Sequence, residues 1–171
     1  MTARAIALAP ARDCGQGARV TTEPSIHPAP TTLAPTTPAP TTPALRWQCV
    51  CFDSTDPRRI GSFWEQALGW RRTYDADDEV VLEPPEGSRE DGVSPDILFL
   101  RVPEQKSTKN RLHIDLRPTD QGAEVARLET LGAVRADVGQ GDDQTWVVLA
   151  DPDGNEFCVL RAFTDDELAD G

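Results

Sequence analysis

From Arg46 onward, short apolar runs alternate with two stretches of helical periodicity. "RWQCVCFD" (46–53) is apolar and rich in β-prone residues, so it predicts a strand. In "STDPRRIGSFWEQALGW" (54–70), Ile60, Phe63, Trp64 and Leu68 recur at the spacing of one helix face. That stripe reads as core. Asp56 suits the cap, Pro57 the first helical position and Gly69 the stop. "WRRTYDA" and "EVVLEPP" predict a hairpin with Asp77 and Asp78 near its turn, "SREDGVSP" a loop, and "DILFLRV" (96–102) a further strand.

The order then repeats. "NRLHIDLRP" (110–118) predicts a strand. "TDQGAEVARLETLG" (119–132) predicts a helix capped by Thr119 or Asp120 and ended by Gly132, with Val125, Leu128 and Leu131 on its buried side. "AVRADVG", "TWVVLAD" and "NEFCVLR" predict three more strands, the last two joined through the turn "DPDG". Strand, helix and three strands thus occur twice, over 46–102 and 111–161. This element order predicts an α+β fold: two βαβββ modules forming a curved mixed sheet around a cleft, with the helices on the outer face. The folded domain is expected over 46–163, with 164–171 as an acidic, frayed tail.

Residues 1–45 differ in kind. Seven of the 15 prolines lie between Pro24 and Pro43, in a repeating PAPTT unit without apolar periodicity. Such a segment is expected to be extended, polyproline-like and disordered. The first residues form a poor signal peptide, because the apolar run is short and Pro10, Arg12 and Asp13 interrupt it. No stretch approaches the roughly 18 apolar residues of a membrane span, so no membrane partner is expected. The net charge is −12, and residues 1–45 carry +1, which leaves −13 on the rest. A domain so acidic repels phosphate backbones, which argues against nucleic acid and favours cationic ligands. Four cysteines (Cys14, Cys49, Cys51 and Cys158) form no CxxC and no secreted-type framework, so reduced thiols and a cytoplasmic location are expected.

Three stretches carry a resemblance. "DSTDPRRIGSFWEQALGW" resembles the first strand-to-helix passage of the glyoxalase / bleomycin-resistance / extradiol dioxygenase superfamily, also called vicinal oxygen chelate. "NRLHIDL" resembles the strand that opens its second module, and "LADPDGNEFCVL" its closing hairpin. The likeness is nearest to the small bacterial glyoxalase-like domains. It implies paired βαβββ modules and, commonly, a homodimer. Metal-dependent members hold one divalent cation through His and Glu, from the first strand of each module and the last strand of the second. Those positions match Cys49, His113 and Cys158 here, with Gln48 replacing Cys49 if the register moves by one.

The usual carboxylate is therefore a cysteine. Strand alternation sets Cys49, Cys51 and Asp53 on one face, His113 and Asp115 on another, and Glu156, Cys158 and Leu160 on a third. If all three turn inward, thiols and imidazole converge, a set that suits Zn²⁺ rather than Mg²⁺ or Mn²⁺. The plainer alternative is that the cysteines pack as small hydrophobes and that His113 bonds to Asp115 or to backbone. Asp53 and Asp115 would orient the histidine or bind a cationic group, unless they only cap and bond loops. Trp47 and Trp146 would wall a site for a planar ligand, unless they are core. The reading that follows is a protein that binds a small molecule in the cleft between its modules, without the usual His/Glu metal centre and without an expected cofactor. Its alternative is a metal-dependent lyase, isomerase or dioxygenase acting on a substrate with vicinal oxygens. A protein-interaction module tethered by the Pro/Thr-rich segment is a third class. No P-loop, GxGxxG or nucleophile elbow supports a nucleotide-dependent or hydrolase reading.

Overall fold

The computed structural model describes Leu45 and residues 47–141 and 143–169. The disorder expected over residues 1–44 lies outside the described residues, as do Cys14 and His27.

The first module runs β1 (Cys49–Ser54), α1 (Pro57–Leu68), β2 (Arg71–Asp75), β3 (Glu79–Glu83) and β4 (Asp96–Arg101). The second runs β5 (Asp115–Leu116), α2 (Gln121–Leu131), β6 (Val134–Arg135), β7 (Val147–Ala150) and β8 (Glu156–Val159), followed by α3 (Asp165–Ala169). Each module builds a four-stranded mixed sheet with the same internal order. The orders are β1-β4-β3-β2 and β5-β8-β7-β6, with the first and last strands of each module parallel. The two βαβββ modules are thus present as predicted. Their sheets are two separate ladders rather than one continuous curved sheet, because β1 and β5 each pair on one side only.

Local chemistry explains the helix ends. The Asp56 carboxylate accepts from the Arg59 amide and Asp120 from the Ala123 amide, each satisfying a first-turn donor. Gly69 and Gly132 end the helices in the left-handed region. The face of α1 chosen by its spacing is indeed core: Ile60, Phe63 and Trp64 pack with Val80, Leu82, Ile97 and Phe99 of the first sheet. Gly61 lets α1 lie close on β3, since a Cβ there would stand 2.8 Å from the Val80 Cγ1. Val125 and Leu128 of α2 join Leu149, Phe157 and Val159 in the same cluster, so one core spans both modules.

Two polar devices tie the modules together. Arg127 of α2 donates to the Gln66 and Ala67 carbonyls (3.0 and 2.7 Å), placing a cation at the C-terminus of α1, and Glu124 holds it there. The other device is the DPDG turn. Asp151 is buried and accepts from the Trp64 indole N–H (3.0 Å) and from the Asp153 and Asn155 amides (both 2.9 Å). Asp153 pairs with Arg59 and accepts from Ser54. Burial raises the Asp151 carboxyl above its ordinary range, although these donors pull it back. A stretch that reads as a tight turn is therefore also a clamp on the first module.

Three expectations need correction. The strand predicted over 110–118 shrinks to β5. Its parallel partner β8 starts only at Glu156, with Asp115 opposite Cys158, so the residues upstream of His113 have no strand to pair with. "AVRADVG" likewise forms only the two residues of β6. The predicted frayed tail contains α3, started by a reciprocal cap: the Thr164 amide donates to Glu167, and the Glu167 amide to the Thr164 hydroxyl. No helix among the described residues is long and apolar enough to cross a membrane.

Candidate functional site

The parallel pairing of β5 with β8 sets Asp115 directly opposite Cys158. His113, two residues before Asp115, lies on the same side, with its Nε2 3.2 Å from the Asp115 Oδ1. Potential ligand atoms of His113, Asp115 and Cys158 all lie within 4.8 Å of one another. His113 and Asp115 are half-exposed, whereas Cys158 is buried. Burial, with the Asp115 charge beside it, pushes the Cys158 thiol up to about 11. At neutral pH it is a protonated thiol.

Two cavities meet at this group and share His113, Glu156 and Phe157 as common wall. One, of about 350 Å³, lies between the modules. β1 contributes Val50, Cys51, Phe52 and Asp53, and the second module contributes Ile114, Phe157 and the segment from Asn110. Its apolar floor includes Trp64. Its rim is ionic: Lys106 pairs with Glu156 at 3.0 Å, and Glu156 also accepts from the Asn110 amide at 3.0 Å. The other cavity, of about 320 Å³, lies on the second sheet, walled by Trp146, Val138, Val148 and Leu160, with Asp115 and Cys158 at its base.

The predicted site residues divide. His113, Asp115 and Cys158 come together, Trp146 stands in the cavity beside them, and Asp53 lines the space between the modules. Cys49 does not join the group. It lies on the first sheet, where its sulfur stands 3.8 Å from that of Cys51. Gln48 does not replace it, since its amide donates to Asp96. Trp47 walls neither cavity. It is 74% exposed, and its indole N–H donates to the Cys49 carbonyl. A ligand position inferred by counting along β1 therefore falls on the wrong sheet for this group. The roles of Lys106 and of Asp151 are not legible from periodicity. One signal was present for Asp151: a tryptophan in a helix's buried stripe needs an acceptor for its N–H.

The fold, with paired modules and a cavity walled by both, defines the class of protein. The chain belongs to the glyoxalase-like domain family, which it matches over residues 49–160. It is similar in structure to a glyoxalase/bleomycin resistance protein/dioxygenase family enzyme from Burkholderia phytofirmans PsJN, with 15% identity and a TM-score of 0.53 over 70% of this chain and 100% of that one. A possible glyoxalase from Bacillus cereus gives 13% identity and a TM-score of 0.51 over 68% and 99%. The fosfomycin resistance protein FosX from Listeria monocytogenes, solved with Mn(II) and sulfate, gives 12% and 0.52 over 72% and 94%. At such identities these likenesses show the fold. No curated protein matches the sequence.

The Listeria monocytogenes protein was solved with a divalent metal, so the donor set here bears testing. Ligands of one tetrahedral zinc ion, at about 2.0–2.3 Å each, stand roughly 3.3–3.8 Å apart. The His113–Asp115 separation is close to that spacing, and imidazole, carboxylate and thiolate are all zinc ligands. By donor type the set suits zinc with an open fourth position, its atoms lying within 4.8 Å of one another. It does not fit a cation that requires oxygen donors, because Cys158 supplies a sulfur.

Proposed function

We propose that this protein binds a small molecule in the cavity between its modules and does so without the His/Glu metal centre common among its relatives. The observation that carries the reading is the cavity itself. At about 350 Å³ it falls within the range of small-molecule sites, with an apolar floor and a few convergent polar groups. The metal-free half of the reading rests on Cys158, a buried sulfur where such relatives carry a carboxylate. Within the cavity Asp53 and Glu156 favour a ligand with a cationic or hydrogen-bond-donating group, and Phe52, Ile114 and Trp64 favour an apolar body.

Thermal-shift screening of a small-molecule panel tests this. Hits should raise the Tm of the full chain and lose that effect in Ile114→Trp, which fills the space between the modules. They should keep it in Trp146→Ala, which alters only the other cavity. Hits indifferent to Ile114→Trp would contradict the proposal.

A second reading is favoured by the convergence of His113, Asp115 and Cys158. In it the group holds zinc and the protein is a metal-dependent enzyme. These three residues would bind the ion, and the ion would supply Lewis-acid polarisation of a substrate oxygen. Asp115 would also fix the orientation of the imidazole, and Phe157 would keep one side of the site dry. Zinc titration separates the readings. In a chain carrying Cys14→Ser, Cys49→Ser and Cys51→Ser, stoichiometric zinc that is lost in both His113→Ala and Cys158→Ala favours the enzyme, and the absence of stoichiometric zinc favours the metal-free binder.

A further inference from the structure

Neither reading uses the pairing of Cys49 with Cys51, although Cys51 also lines the intermodule cavity. The pair lies on the first sheet, apart from the group around His113, and its two sulfurs are 3.8 Å apart. In an extended strand, residues two apart point to the same side, so this proximity follows from β1 itself. Two thiolates bound to one tetrahedral ion at about 2.3 Å stand about 3.8 Å from each other, which is the spacing found here. The strand thus holds both donors in place before any ion arrives. A direct disulfide is less well served, because α-carbons two residues apart in a strand are separated by about 6.6 Å, near the upper limit for such a bond. Cys51 is exposed and lines the intermodule cavity, and Asp53, next on the same face, adds a negative charge near it.

We propose that Cys49 and Cys51 form a bidentate site for a thiophilic divalent cation on the first sheet, with solvent or an external ligand completing the coordination. Binding forms two metal–sulfur bonds, breaks two S–H bonds and releases two protons to solvent, with no change of oxidation state. The strand geometry preorganises the pair, so the site selects soft ions over Mg²⁺ and Ca²⁺.

The probe is Cd²⁺, added to the full-length chain carrying Cys14→Ser and Cys158→Ser, so that only this pair of thiols remains. One equivalent of Cd²⁺ should produce a saturable thiolate-to-metal charge-transfer band in the ultraviolet and release two protons. Cys51→Ser and Cys49→Ser in that background should each weaken binding at least 100-fold, with the circular dichroism spectrum unchanged. His113→Ala should leave the titration as it is. A missing band at micromolar Cd²⁺, or a band that survives Cys51→Ser, would overturn the proposal. Cys51 also lines the intermodule cavity, but Cd²⁺ binding is read without a small molecule and the thermal-shift hits without Cd²⁺, so either claim can fail without the other.

Discussion

The two modules share one strand order and differ in how completely they realise it. In the first, β1 and β4 pair over six positions, from Cys49–Asp96 to Ser54–Arg101. In the second, the equivalent β5–β8 ladder has two. The helices differ in the same sense: α1 sits so close to its sheet that Gly61 has no room for a Cβ, whereas the matching position of α2, five residues after its cap, holds the larger, buried Val125. The first module is the fully laddered one. The second leaves the segment before β5 outside its sheet, free to wall a cavity, and the three convergent donors lie at that lightly paired edge. Ladder completeness and chemical opportunity have traded places between two copies of one plan.

The difference can be broken from several directions. The largest effect is expected from Phe157→Ala. Phe157 packs on Trp64 with ring centroids 5.1 Å apart and joins the modules, so its loss should cost about 3–5 kcal/mol in urea unfolding. Because one core spans both modules, the transition should stay single, and two separated transitions would show that the modules fold independently. Next comes the pair of glycine variants. Gly61→Ala should destabilise by about 1–3 kcal/mol through overpacking against Val80. Gly122→Ala should be neutral or stabilising by up to about 1 kcal/mol, since alanine is the better helix former. Equal effects would show that Gly61 is not confined by Val80.

A smaller loss is expected from Trp64→Phe, which takes one donor from buried Asp151 at a cost of about 1–2 kcal/mol. A double-mutant cycle with Asp151→Asn should show coupling between the two. Additive losses would mean that the turn does not clamp the first module.

The mildest test is alkaline. The folded Cys158 thiol titrates at about 11 against an ordinary 9.0, so the folded state holds that proton more tightly than the unfolded chain does. Its stabilising contribution is complete below pH 9 and is lost as the pH rises through 11. Urea midpoints at pH 8 and pH 10 should therefore fall less in Cys158→Ala than in the parent. An identical fall would show that Asp115 and burial do not act on the thiol.

Much of this architecture was legible in the residues. Helical spacing selected Ile60, Phe63 and Trp64, and caps at Asp56 and Asp120 marked the helix starts, because these signals are local. The repeat of elements was legible too, since each module carries its own pattern. Strand extent was not. "NRLHIDL" has the composition of a strand, yet a strand needs a partner, and where β8 begins decides how much of it is paired. The site was half legible for the same reason. His113, Asp115 and Cys158 meet through a parallel pairing between residues 43 positions apart, which the family resemblance supplied and periodicity could not. Within the chain Cys49 does not join them, because counting along β1 gives a face and not a neighbour. The exposure of Trp47 just before β1 was equally invisible, because an aromatic at the end of an apolar run looks like core.

The central claim is that the space between the modules is the ligand site. Methyl-resolved NMR of the full chain, titrated with a hit from the small-molecule panel, tests it most directly. Saturable shifts at Val50 and Ile114, on opposite walls of that space, are the predicted result. Shifts confined to Val138, Val148 and Leu160, on the wall of the other cavity, would contradict it.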